Sequence, residues 1–288
     1  MSWWRTKQIQ KPRDREIDLV LSSSGVRAPC FIGAIEGILE KGYEIKRIAG
    51  TSGGAIIAAG YALGKTTEEL RELAPNTPYE KFKDFKIRNL LSLTNPSVYT
   101  GQELDAFYQS VFGNARLRDF QIDCKISVVT IVGKERIILD KENYPDLHVW
   151  KAVRMSSTIP FIFPYLTLEG RAVTDGALVT AMCDVFPGEI RPKIALRPRA
   201  NHGLKKTIQD VKAYKLFLWN YIKVLAEYFL DAIDNQHVPE EEWKDTIVIP
   251  TFSVGAFNFD IGPEDVIKLI DCGLDAVRQS ELLPNQNG

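Results

Sequence analysis

The feature that most constrains this chain is the passage from an apolar run ending at Ala49, through Gly50-Thr51-Ser52-Gly53-Gly54, into a helix-forming stretch of small residues at 53–64. Gly-x-Ser-x-Gly between a strand and a helix is a nucleophile elbow. The turn is sharp and strained, so Gly50 and Gly54 keep side chains out of its way and Ser52 is presented at the top of a sheet. The helix that begins at the serine turns its unpaired N–H groups and the positive end of its dipole toward any anion formed there. Such an elbow needs a strand beneath it and a sheet to hold that strand.

A second unit of the same design precedes it. Residues 17–21 read as a strand and run into Ser22-Ser23-Ser24-Gly25-Val26-Arg27-Ala28-Pro29. A helix follows over 30–41, with Pro29 tolerated in its first turn and Gly42 as its stop. Two strand–loop–helix units in the first 64 residues predict a parallel sheet with helices on its faces. Ligands of such sheets sit outside the carboxyl ends of the strands, so the loop at 23–28 and the elbow are expected to face one cleft. The first loop reads as a nest of backbone N–H groups for an oxyanion or phosphate. It lacks the Gly-Lys-Ser/Thr ending of a P-loop and the spacing of a dinucleotide fingerprint.

Further along, helical patterns cover 66–74, with Thr67 placed to cap, then Thr100-Gly101-Gln102-Glu103 onward to Gly113, 147–155 and 265–279. Strand patterns cover 122–132 and 136–139, joined around Gly133-Lys134, then 165–168, 171–174, 190–196 and 246–250. Residues 79–93 set Phe82, Phe85, Ile87, Leu90, Leu91 and Leu93 against Lys81, Lys83, Lys86 and Arg88. That mixture fits a lid or lipid-facing cap, and equally a helix packed on its apolar side. Residues 207–234 form a long helical segment rich in aromatic residues, with charges that rule out a membrane span. Ser156-Ser157-Thr158-Ile159-Pro160-Phe161-Ile162-Phe163-Pro164 is an apolar, proline-stiffened loop, suited to walling an acyl chain or to filling core. A turn at Glu169-Gly170 then delivers Asp175-Gly176-Ala177 to a strand's end, where a catalytic carboxylate would stand.

Composition narrows the class. The 288 residues, 45% hydrophobic, suffice for one domain, expected over 17–282 between a basic, aromatic leader at 1–16 and a polar tail at 283–288. A net charge of −1 supplies no global field for nucleic acid. The basic stretch at 195–206 has no interleaved aromatic residues, so it reads as a solvated face. Cys30, Cys124, Cys183 and Cys272 form no ligand-spaced cluster, which fits a reducing compartment and predicts no metal. No apolar run reaches membrane-spanning length, and the leader lacks a signal peptide's apolar centre, so the expectation is cytoplasmic. Trp3 and Trp4 beside Arg5, Lys7, Lys11, Arg13 and Arg15 could still rest on an anionic membrane. A solvated tail is the alternative.

A serine hydrolase usually needs a base beside the hydroxyl and a group that orients the base. His148, His202 and His237 are the three histidines, and none stands at a clear strand end beside small residues. An ordinary triad would require one of them. The alternative is a dyad in which Asp175 takes the Ser52 proton directly, a role that needs the carboxylate close and shielded.

At these residues the chain resembles the patatin-like phospholipases, the lipid acyl hydrolases. Their Gly-rich loop ending in Arg/Lys-Gly, their Gly-x-Ser-x-Gly and their later Asp-Gly-Gly/Ala are similar to Ser23-Ser24-Gly25-Val26-Arg27-Ala28, Gly50-Thr51-Ser52-Gly53-Gly54 and Asp175-Gly176-Ala177. The resemblance spans roughly 17–198 and is looser beyond. It implies a three-layer α/β/α fold around a central, mostly parallel sheet. It implies Ser52 and Asp175 as catalytic dyad, with backbone at Gly25, Val26 and Arg27 as oxyanion hole and Gly176 and Ala177 completing the acid motif. It implies release of fatty acid from phospholipid or other lipid esters at a membrane surface, with no cofactor and no metal. A protein activator or a homodimer is compatible with it. The chain departs from the pattern at Ser23, Ser24 and Ala28, where the family carries glycine. A catalytically impaired or partner-activated lipid-binding module on the same fold is therefore the rival expectation.

Overall fold

Parallel strands covered on both faces show no polar alternation, and β1 (Glu16–Leu21) has five consecutive buried residues. Ile17, Leu19 and Leu21 join the main core on one face, while Val20 packs on the other against Ala49, Ala195, Val185 and Phe186. That second face also carries Asp18, which accepts from both nitrogen donors of Arg47, whose guanidinium lies over the Phe186 ring. The computed structural model describes residues 15–178, 183–186, 188, 191–200, 243–252 and 254–285. Residues 1–14 of the leader, the tail after 285 and the expected helical segment at 207–234 lie outside the described residues.

Beside β1 stand β2 (Glu44–Gly50), β3 (Asp123–Thr130), β4 (Arg136–Leu139), β5 (Leu166–Leu168), β6 (Arg171–Asp175), β7 (Lys193–Arg199) and β8 (Thr246–Pro250). Their order is β5-β6-β3-β2-β1-β7-β8, with β4 paired to β3. The central pairs from β3 to β8 are parallel, and β4, β5 and β6 run antiparallel. This is a three-layer α/β/α fold with a largely parallel sheet. The helices are α1 (Cys30–Glu40), α2 (Gly53–Ala62), α3 (Thr67–Leu73), a single turn α4 (Ile87–Leu90), α5 (Gln102–Phe112), α6 (Val149–Ser156) and α7 (Pro263–Gln279). Helices α1 and α7 touch backbone to backbone through Gly33 and Gly273.

Three expectations shift. Thr66, not Thr67, caps α3: its hydroxyl accepts from Glu69 N–H while Glu69 returns the bond to Thr66 N–H. The strand expected at 190–196 begins only at Lys193, because Pro192 has no N–H to enter the ladder. Residues 79–93 form no single helix but a 3-10 turn, Tyr79–Phe82, and then α4. Phe82 is buried against Phe107 and Phe259, whereas Phe85, Ile87, Leu91 and Leu93 are exposed.

Candidate active site

The elbow is latched from below. Thr51 N–H donates to Leu21 O at the end of β1, and Ser52 N–H donates to Ser156 Oγ at 2.9 Å. The Ser156 hydroxyl in turn donates to Ser127 O at 2.7 Å. Between these anchors Ser52 holds φ 55° and ψ −125°, a conformation that costs a non-glycine residue about 1–3 kcal/mol. Gly54 permits it, since a Cβ there would stand 2.5 Å from Ser22 O. Ser52 is 2% exposed.

Asp175 is the last residue of β6 and is fully buried. Its N–H donates to Thr158 O at 2.9 Å, and its Oδ1 accepts from Ala177 N–H at 2.9 Å, so the turn that follows the strand holds the carboxylate. In the sheet β3 stands between β2 and β6, with Gly50 of β2 in register with Ile126 and Asp175 in register with Val128. Ser127 lies between those two positions. Its carbonyl takes the Ser156 hydrogen bond that supports Ser52, and Gly176 packs directly on the same carbonyl. The sheet thus places the end of the serine's strand and the acid on the two sides of β3, either side of Ser127.

The third motif closes the arrangement over the N-terminus of α2. Gly25 has φ +56°, and a Cβ on it would collide with Ala256 O, so no other residue fits that turn. Of the three N–H groups expected on an oxyanion, Val26 donates to Ala256 O at 3.0 Å and Arg27 to Ser24 O at 3.2 Å. The N–H groups of Gly25 and Gly53 have no acceptor among the described residues. Arg27 is buried and its Nε donates to Ser24 O at 3.0 Å. Carbonyl and N–H point opposite ways across a trans peptide. Holding Ser24 O therefore aims Gly25 N–H away from Arg27. The arginine orients the loop and leaves no exposed cation for a lipid phosphate.

A buried polar group that the sequence did not single out lies behind this site. Arg154, 1% exposed, pairs with Asp105 at 2.7 Å and donates to Thr158 Oγ1 at 2.6 Å. Burial pushes the Arg154 guanidinium below its ordinary value and the Asp105 carboxyl above its own, so desolvation outweighs the pairing on both sides. Tyr108 donates to Ser157 Oγ at 3.1 Å, and burial pushes its phenol up to about 12, with Asp175 adding to the rise. The signal for this cluster is one polar residue at each helix's apolar face, legible only once the partner helix is known. His148 sits at the far end of α6 from Ser156, about 12 Å away at 1.5 Å per residue. His202 and His237 lie outside the described residues.

Two apolar recesses flank the motifs. A small one, about 80 Å³, opens beside Gly25 among Ile32, Ile57, Leu70, Phe82 and Tyr108. A larger groove of about 420 Å³ runs past Thr174, the neighbour of Asp175, between Phe161, Phe163, Tyr165 and Ile131. Among the described residues there is no cluster of metal-ligating side chains, and no helix is long and apolar enough to cross a membrane.

Known proteins are similar to this chain in sequence or in fold. The chain is 29% identical over 296 residues to the uncharacterized protein YqhO of Bacillus subtilis, covering 94% of this chain and 98% of that one. It is 31% identical over 173 residues to lysophospholipase NTE1 of Coccidioides immitis, covering 57% of this chain. It matches 10% of the length of that lysophospholipase. Among solved structures, VipD from Legionella pneumophila has the same fold, with a TM-score of 0.62 at 14% identity over 95% of this chain and 67% of that one. Residues 19–185, which include the loop, the elbow and Asp175, match the family model described as patatin-like phospholipase. The chain belongs to the patatin-like phospholipase family.

Proposed function

We propose that this protein is a lipid acyl hydrolase that cleaves carboxylic esters of phospholipids through a Ser52–Asp175 dyad and releases free fatty acid. The observation that carries the reading is the approach of the strained elbow and the buried Asp175 to β3 from its two sides about Ser127, whose carbonyl is contacted from both. Ser52 Oγ attacks the ester carbonyl, and its proton passes to Asp175. The carbonyl π pair moves onto oxygen, where the N–H groups of Gly25 and Gly53 receive it; one such donor is worth about 3 kcal/mol of barrier. As the tetrahedral centre collapses, Asp175 returns the proton to the departing alcohol. Water, deprotonated by the same carboxylate, attacks the acyl carbonyl, and Asp175 returns that proton to Ser52 Oγ as the acid leaves. The apolar recess beside Gly25 and the groove beside Thr174 suit the acyl chain and the rest of the lipid. The substrate class is also what the lysophospholipase relatives' name denotes.

The membrane would be touched from one side through the exposed apolar residues of 85–93, a peripheral contact. The test is fatty-acid release from mixed phospholipid vesicles by wild type, Ser52→Ala and Asp175→Asn, each checked for folding. Loss of release by at least a thousandfold in both, with His148→Ala, His202→Ala and His237→Ala active, is the expected result. Vesicle binding without turnover by the wild type would replace this reading with a lipid-binding module. The engagement of Val26 N–H by Ala256 O is the one feature that favours that outcome.

A further inference from the structure

The Ser24 side chain has no hydrogen-bond partner among the described residues. Ser24 is fully buried, and its Oγ is shielded from solvent. Buried hydroxyls are ordinarily bonded, and an exception calls for a ligand or a chemical role. Its surroundings specify which. A Cβ built on Gly53 would overlap Ser24 Oγ and stand 2.5 Å from Gly25 O and 3.1 Å from Gly25 N, so the hydroxyl, the Gly25 backbone and the first residue of α2 meet in one small volume. Helix α2 has ten residues and no acidic side chain in its first turn, so its positive end there is not neutralised locally. The Ser24 carbonyl is tied down twice, by Arg27 N–H and by Arg27 Nε, which fixes the residue that carries the hydroxyl.

We infer that the Ser24 hydroxyl is a third oxyanion donor, joining the N–H groups of Gly25 and Gly53 on the oxygen of the tetrahedral intermediate. The inference rests on the Ser52 reading and deepens it. Ser24 keeps its proton throughout: it donates one hydrogen bond as the carbonyl π pair localises on oxygen, and gives it up when the C=O bond re-forms. Glycine at this place supplies no such donor. The serine therefore supplements backbone donors of which Val26 N–H is already committed to Ala256 O. Ser23, its neighbour, is also buried but shows no such orphaned oxygen.

The experiment compares wild type, Ser52→Ala, Ser24→Ala and Ser24→Gly on a short-chain p-nitrophenyl ester and on phosphatidylcholine vesicles. Thermal melting and the affinity of an alkylboronate that forms a tetrahedral adduct at Ser52 are measured in parallel. The expected result is a kcat lower by about 100-fold in both Ser24 variants, at the low end for loss of an oxyanion-hole donor. KM should change less than threefold, and boronate affinity should fall in step with kcat. Melting of Ser24→Ala should be unchanged or raised, because the variant no longer buries an unpaired hydroxyl. A purely structural role would lower the melting temperature and leave the ratio of kcat to boronate affinity unlinked. Ser24 variants within twofold of wild type in kcat, beside an inactive Ser52→Ala, overturn the Ser24 assignment alone. A wild type that neither hydrolyses either ester nor is labelled at Ser52 by a fluorophosphonate overturns the Ser52 reading and this one together.

Discussion

The elbow at 50–54 and the segment at 79–97 are built on opposite terms. Around the elbow the backbone is held from several sides: Thr51 N–H by Leu21 O, Ser52 N–H by Ser156 Oγ, and Gly54 by the carbonyls of Leu21 and Ser22. The outer segment has two short turns, with Ile87 66% exposed, Leu91 72% and Leu93 fully so. Strain such as the φ of Ser52 persists only where the surroundings over-determine it. Exposed apolar side chains on short turns have the reverse property: little in the fold fixes them. Under the proposed function the one would carry the chemistry and the other the lipid contact.

The first way to break that contrast is to disturb the over-determined side by one methyl group. Gly25→Ala adds a Cβ that collides with a carbonyl at a positive φ, so the Gly25 N–H must move. Ester turnover should fall by about 100-fold or more, the effect of misplacing one oxyanion donor. Gly113→Ala is the control: it has a similar φ of +53° but open space around it, so it should cost about 1–3 kcal/mol of stability and no activity. Equal activity in the two variants would show that the loop around Gly25 is looser than its contacts indicate.

A smaller effect is expected behind the site. Burial holds the Asp105 carboxyl above its ordinary range although Arg154 faces it, and Asp84 adds to the rise. A raised folded-state value contributes stability that is fully present below the unfolded pKa and lost as pH rises through the folded one. Asp105→Asn copies the protonated form. At neutral pH its melting temperature should therefore equal or exceed that of the wild type, by less than about 1 kcal/mol because the side chain keeps a third of its surface exposed. The gap should close as pH falls through the ordinary carboxylate range. A loss of about 3 kcal/mol at neutral pH would mean instead that pairing with Arg154 dominates.

What could be read in the sequence was local. Glycine and proline punctuation around 22–29 and 50–54 located two strand–loop–helix units, and Glu169 and Gly170, both at positive φ, form the turn that sets Asp175 at a strand's end. What could not be read depended on distant partners. Which N–H of the loop remains available is decided by Ala256, some 230 residues away, and the support of Ser52 by Ser156 and Ser127 requires the sheet order itself. At the start of α5 the Thr100 hydroxyl accepts from Gln102 N–H, but Asp84 accepts from the N–H groups of Thr100, Gly101 and Glu103. A carboxylate from another segment has no local signature. The one-residue slip from Thr67 to Thr66 is of a different kind: either threonine can cap, and Glu69 stands three residues after Thr66, which completes a capping box there and not at Thr67.

The smallest effect on the fold should come from the outer segment. Leu91→Ser with Leu93→Ser removes two side chains that the protein leaves in solvent, so the melting temperature should hold within what about 0.5 kcal/mol produces. If these residues seat in a bilayer, the same change forfeits their burial there. Partial insertion of two leucines predicts vesicle affinity lower by about tenfold or more. Turnover of a soluble short-chain ester should be unaffected, because neither residue lines the recess beside Gly25 or the groove beside Thr174. Vesicle co-sedimentation and the two activity assays, run on one preparation, separate these quantities. Loss of soluble-ester activity would tie the segment to the catalytic side. Unchanged vesicle binding would assign lipid contact to another surface, with Phe161, 59% exposed at the rim of the groove, the next residue to replace.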